Sequence, residues 1–209
     1  MDMADTEGLE ALTIRRLATE LGVTPMALYW HFADKDALLH AISERLWDDA
    51  AVIVAGADTA HPDPAEAGPA GWESLRMITA GLVEALRRHP GCAQLAYLAV
   101  LGCDSGLALT ERSLAILAGQ GCDGRQSAEM AHFLLTTAVT LVASRPGGDI
   151  SAEDQEARLR AKRVSLASLP PERYPHVAVT AEYLVDCSDV DGYFERGVDF
   201  IIGGLRHRL

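Results

Sequence analysis

The chain has 209 residues, 49% of them apolar and 6% aromatic, enough for a buried core built mainly from Ala, Leu and Val. Its formal net charge of −12 argues against a general affinity for nucleic acid or anionic surfaces, so any DNA contact must be local. The acidic opening Met1 to Asp5 has no apolar core of a secretion signal, and the most apolar window, Ala128 to Ala143, is too short to span a bilayer. The chain is therefore expected to be cytoplasmic with no membrane partner.

Taken in order, the elements read as helices throughout. No alternating β-branched run between turn signals is visible. Thr13 is an N-cap for a short helix whose apolar face is Leu17, Ala18 and Leu21. Gly22 stops it, because glycine takes a left-handed C-terminal cap without steric cost. Thr24 caps a second short helix, with Pro25 at its first position, where a missing N–H costs nothing. Asp34 caps a third that runs to about Ala55 on a stripe of Leu38, Leu39, Ile42, Leu46 and Ile53. Two short helices around a glycine turn are the sequence form of a helix-turn-helix.

Residues 56–71 hold Pro62, Pro64 and Pro69 and read as a linker. Trp72 to Arg88 is amphipathic on Leu75, Ile78, Leu82 and Leu86, and His89, Pro90 and Gly91 break it. Cys92 to Leu101, Ser105 to Ala118 and Gln126 to Ala143 are further helix candidates. The run from Arg145 to Asp149 reads as a loop, and Ser151 with Asp154 can open another helix. A short helix follows Pro175. The last, Asp191 to Arg208, has the clearest stripe: Phe194, Val198, Ile201, Ile202, Leu205 and Leu209. Its glycines Gly197 and Gly204 suggest close approach by another helix, with the region Met130 to Val142 as the natural partner.

The four cysteines, Cys92, Cys103, Cys122 and Cys187, show no zinc-ligand spacing and read as small apolar residues. No nucleophile–base pair, phosphate loop or metal set is evident, so neither an enzyme, a cofactor nor a metal site is expected.

Residues Thr13 to Leu39, above all Leu28-Tyr29-Trp30-His31-Phe32 followed by Asp34-Lys35 and Leu38-Leu39, resemble the DNA-binding module of the tetracycline-repressor family. The Arg88-His89-Pro90-Gly91 helix end, Tyr174-Pro175-His176 and the final helix resemble, more loosely, the ligand-binding domain of its tetracycline-repressor-like branch. The resemblance implies an all-α fold with a helix-turn-helix head in 1–55, a linker in 56–71 and a ligand-binding and dimerisation domain in 72–209. It implies a homodimeric regulator, in the usual case a repressor, that reads a palindromic double-stranded DNA operator and is released by a small-molecule effector.

One departure stands out. Family members carry a full helix ahead of the module, and Glu7 to Leu12 resembles only its C-terminal end. On that reading the first helix is truncated, and the faces around Leu17, Leu21, Leu28 and Phe32 lose cover. The residues through His40 include three basic and seven acidic ones, a balance of −4. A head with defective DNA binding is the alternative that these features raise.

By resemblance, the second short helix enters the major groove with Thr24, Pro25, Met26 and Ala27 toward the bases. Met26 and Ala27 offer apolar contact only, Arg15 is the candidate for a bidentate guanine contact, and Tyr29, His31 and Lys35 are the candidate phosphate contacts. Trp30 is divided between core and backbone contact. For the effector, His132 and Thr136 lie one turn apart in an apolar helix, and a buried histidine needs a partner from protein or ligand. Trp72, Met77 and Tyr97 complete the candidate pocket.

Overall fold

The computed structural model describes residues 1–57, 68–144, 152–185 and 189–207, with backbone alone for 152–155. Several expectations fall outside these residues: the linker around Pro62 and Pro64, the loop from Arg145 to Asp149, the cap at Ser151, Cys187 and the terminal Leu209. Among the described residues there are eleven helices and no strand.

The head is built as its caps dictate. Helix α1, Asp2–Glu7, leads through a 3₁₀ turn at Leu9–Ala11 into α2, Ile14–Glu20. Thr13 Oγ1 accepts from the Arg16 amide at 3.2 Å. Gly22 takes φ 65°, and the Val23 amide closes back on the Ala18 carbonyl at 2.9 Å. Helix α3, Pro25–Tyr29, starts from Thr24, whose Oγ1 accepts from the Ala27 amide at 3.2 Å. Helix α4, Lys35–Ala57, starts from Asp34, whose Oδ1 accepts from the Ala37 amide at 2.8 Å. Leu12, Ile14, Ala18, Leu28 and Leu38 form a small separate core, with Met3 of α1, Leu17 and Phe32 packed against it. The short α1 thus supplies part of the expected missing cover, while Leu21 remains exposed.

Helix α4 belongs to both cores. Its Leu39 and Ile42 touch the head core and the large one, and its Leu46, Trp47, Ala50 and Val54 are buried in the large one. Helix α5, Pro69–Arg87, is the hub of the larger unit, packed against α4, α7 (Asp104–Gly119), α8 (Gly124–Ala143) and α11 (Val190–Arg206). Its start at Pro69 and the end of α4 at Ala57 shorten the expected linker from both sides. The expected helix from Cys92 to Leu101 is instead a 3₁₀ segment, Pro90–Leu95, followed by the single turn α6, Ala96–Ala99. Pro90 and Gly91 at its start favour a tight turn over a continuous helix. Asp123 and Gln126 open α8 with reciprocal side-chain bonds to each other's backbone amides, at 2.8 and 2.9 Å.

Helices α9, Ala152–Ala167, and α10, Pro175–Val185, pack chiefly on each other, and no other element makes an extensive contact with either. Gly197 of α11 meets Leu141 of α8, whose Cδ2 would lie 2.5 Å from an added Cβ. The close approach inferred from that glycine is therefore made within one chain, whereas Gly203 and Gly204 face open space. Cys92 and Cys122 are buried free thiols. Cys103 is half-buried and caps α7 through its Sγ, which accepts from the Gly106 amide at 3.4 Å. No single helix among the described residues is long and apolar enough to cross a membrane.

Candidate functional site

Helix α3 and its flanks expose a run of apolar side chains. Trp30 is 85% exposed and Met26 66%, and Val23 and Tyr29 are exposed beside them. Burying apolar side chains is the dominant gain in folding, so leaving an indole in water carries no folding benefit. This removes the core reading of Trp30 and leaves it, with Tyr29, available to a partner. Thr24, Pro25, Ala27 and His31 are exposed on the same segment. His31 also stacks at an angle against Phe32, ring centres 6.4 Å apart.

The cations of the head differ in their engagement. Arg16 is paired with Glu7. Lys35 donates from Nζ to the Leu9 carbonyl at 3.1 Å, fastening the start of α4 to the turn after α1. This bond uses one of the three ammonium donors and gives the side chain a structural task that sequence reasoning missed. Arg15 is exposed and forms no ion pair with a described residue, so its guanidinium is the freest cation of the head.

A second site lies in the larger unit. A cavity of about 370 Å³ opens between α4, α5, the segment at Val100 and Leu101, α7 and α8. Its wall is apolar, including Trp47, Ile78, Leu82, Leu109 and Leu134, with Thr79, Thr110, Ser113 and His132 as its polar members. Mostly apolar walls with a few placed polar groups are the usual form of a small-molecule site. His132 is part of this wall, as expected, but it is exposed rather than buried. Thr136 does not line the cavity and instead stands with Oγ1 3.4 Å from His132 Nε2. Trp72 is a buried core residue, Met77 lines a different, charged groove beside α11, and Tyr97 is exposed away from the cavity. The expected pocket therefore keeps His132, has Thr136 as its neighbour, and loses the other three. A periodicity argument cannot say which apolar faces of four helices enclose a void, so Trp47, Ser113 and Leu109 gave no signal.

Two joints tie the head to the larger unit, one of them at the cavity. Trp47 of α4 lines the cavity and donates from Nε1 to the Ala96 carbonyl at 2.9 Å, while Ser43 Oγ accepts from the Ala99 amide at 3.1 Å. At the other joint, His89 Nδ1 donates to Asp5 Oδ2 at 2.7 Å, and Asp5 Oδ1 accepts from the Gly91 amide at 2.8 Å. Asp2, Asp5 and His89 bring three potential metal-ligand atoms within 4.8 Å. Both oxygens of Asp5 are already engaged by hydrogen bonds, so the cluster is accounted for as an interdomain fastening. Sequence reasoning used His89 and Gly91 as helix breakers and as part of a family-like helix end, and gave neither a partner in the head.

Comparison with known proteins decides the family. Residues 1–42 match the profile of bacterial regulatory proteins of the tetR family, and residues 64–209 match that of the tetracyclin repressor-like C-terminal domain. The chain belongs to the tetracycline-repressor family. It is accordingly a ligand-responsive transcriptional regulator, in a family of regulators rather than enzymes. The class C tetracycline repressor protein of Escherichia coli is 28% identical over 224 residues, covering 98% of this chain and 86% of that one. An HTH-type transcriptional regulator of Saccharopolyspora erythraea is 26% identical over 210 residues, covering 98% and 80%. The crystal structure of ActR, a TetR family protein of Streptomyces coelicolor in complex with actinorhodin, superposes with a TM-score of 0.67 at 25% identity, covering 99% of this chain and 92% of that one.

Proposed function

We propose that this TetR family regulator is a cytoplasmic homodimeric repressor that grips a two-fold symmetric operator and lets go when a small molecule fills the cavity at Trp47. The observation that carries the reading is the continuity of α4. It runs from Lys35 beside the DNA-reading module to Trp47 in the cavity wall without a break. An occupant that shifts Trp47 acts on a rigid rod whose other end sets the placement of the head. For release, the occupant must bind the DNA-incompetent arrangement more tightly, because equal affinity for both shifts nothing.

In this proposal Thr24, Pro25, Met26 and Ala27 face base edges, Arg15 reads a guanine, and Tyr29, Trp30, His31 and Lys35 rest on the backbone. Residues 1–55 act as the DNA head and 72–209 as the effector and dimerisation unit. Dimerisation is supported by the outer surfaces of α8 and α11, which pack on each other and leave Phe133 and Phe200 in water. Two such helix pairs related by a two-fold axis make a four-helix bundle. That ActR forms a complex with actinorhodin supports a small-molecule ligand for this chain.

The test is selection of bound fragments from random DNA by the full chain, then a screen for small molecules that release the selected fragment. The expected outcome is a palindromic consensus, with Arg15→Ala relaxing one base pair of each half-site by about 1–3 kcal/mol of discrimination. A second reading, an effector-binding protein whose head no longer holds DNA, is favoured by one observation, the head balance of −4. Failure to select any sequence would establish it over the repressor reading.

A further inference from the structure

We infer that the cavity at Trp47 selects neutral, mostly apolar molecules that bring their own hydroxyl or N–H donor, phenols rather than carboxylates or ethers. This rests on the reading of that cavity as the effector site. Each polar hydrogen on its buried wall is already committed. Thr79 Oγ1 donates to the Leu75 carbonyl at 2.8 Å, and Ser113 Oγ donates to the Leu109 carbonyl at 2.8 Å. Trp47 Nε1 donates to the Ala96 carbonyl at 2.9 Å. All three side chains are buried and line the cavity.

A hydroxyl has one hydrogen and two lone pairs. Once its hydrogen is committed to the helix carbonyl four residues back, it can only accept. An indole N–H has no lone pair to offer. The buried wall therefore holds two acceptors and no spare donor. No Asp, Glu, Lys or Arg is among the residues lining the cavity. The remaining polar members, half-buried Thr110 and exposed His132, are the more solvent-accessible ones.

This arrangement discriminates by chemistry. A ligand hydroxyl placed against Thr79 or Ser113 finds an oxygen ready to accept. A ligand ether oxygen placed there meets another acceptor and loses its water without compensation. A carboxylate placed against Thr79 and Ser113 fares worst, because the donors the cavity does hold, on Thr110 and His132, lie on its more solvent-accessible side.

The experiment is isothermal titration of the full chain at neutral pH with β-naphthol, its methyl ether and β-naphthoate. We expect naphthol to bind about threefold to tenfold tighter than the ether, the weight of one net hydrogen bond, and naphthoate to bind weakest. Thr79→Val and Ser113→Ala should each reduce the preference and together erase it, and circular dichroism of the double variant shows that it is folded. Equal binding of naphthol and ether, tight binding of naphthoate, or a preference that survives the double variant would overturn the donor rule and leave the effector cavity standing. Binding of none of the three would overturn the rule and count against the cavity as an effector site, whereas operator selection by the same chain reports on the DNA head separately.

Discussion

Replacing Gly91 by alanine should pry α1 away from the effector domain. A Cβ at that position would stand 2.4 Å from the Ala4 carbonyl oxygen, 2.7 Å from its carbon and 2.8 Å from Asp5 Cα. These are backbone atoms, so no rotamer change relieves the clash. Ordinary contact begins near 3.4 Å, which requires α1 to retreat by about 1 Å, and overpacking of this kind costs about 1–3 kcal/mol. The same retreat strains the two bonds that hold Asp5, from the Gly91 amide at 2.8 Å and from His89 Nδ1 at 2.7 Å. Each is worth about 0.5–1.5 kcal/mol in a partly solvated setting. Because these losses share one displacement they do not simply add, and we expect about 2–3 kcal/mol in total. For a chain of this size that lowers the melting temperature by about 5–10 °C. Thermal unfolding followed by circular dichroism reads this directly. Operator affinity should fall with it, since Met3 of α1 packs on the head core and Glu7 holds Arg16. Effector affinity should persist, because Gly91 is outside the cavity wall. A Gly91→Ala protein that melts within about 1 °C of the parent and keeps its operator affinity would refute the reasoning.

Three further outcomes are expected. Trp30→Ala should change stability by less than about 0.5 kcal/mol, because the indole is 85% exposed, yet weaken operator binding in a titration at fixed salt. Operator affinity should depend weakly on salt, with a log–log slope of about −2 to −4, because Arg15 and at most Lys35 from each protomer remain to displace counterions; a slope near −8 would contradict the accounting of head charges. Burial, reinforced by the negative charge of Asp5, pushes the Cys92 thiol from its ordinary 9.0 up to about 11. Above pH 9 the unfolded chain gives up this proton while the folded chain keeps it, so stability is intact below that pH and falls as pH rises from 9 to 11. Denaturant midpoints across this window should decline in the parent and decline less in Cys92→Ala.

The head was legible in the sequence because each of its features is local. Thr13, Gly22, Thr24, Pro25 and Asp34 act within four residues of themselves, through caps and a left-handed turn, and the structure places each in that role. The helical periodicity from Trp72 to Arg88 likewise marked a buried face, and in the last helix Phe194, Val198 and Ile202 of the stripe are buried and Ile201 and Leu205 half-buried, because a stripe on one helix needs no knowledge of its neighbour. The pocket was not legible in this way. His132 was found as an isolated polar residue in an apolar helix, but Trp72, Met77 and Tyr97 were chosen on the same kind of signal and lie elsewhere. Trp30 was divided between core and surface because an aromatic residue in a short helix fits either until its neighbours are placed.

The sequence by itself determined the fold class, the position of the DNA-reading module and the family, since caps, turns and the Leu28-to-Phe32 run are written in contiguous residues. Only the tertiary structure decided that Asp5 fastens His89 and Gly91, that Lys35 holds Leu9, and that Trp47 links α4 to the cavity. These contacts join residues 26 to 86 positions apart. Nothing in either local stretch encodes the other, and it is α4, packed in both cores, that brings the head and the larger unit together.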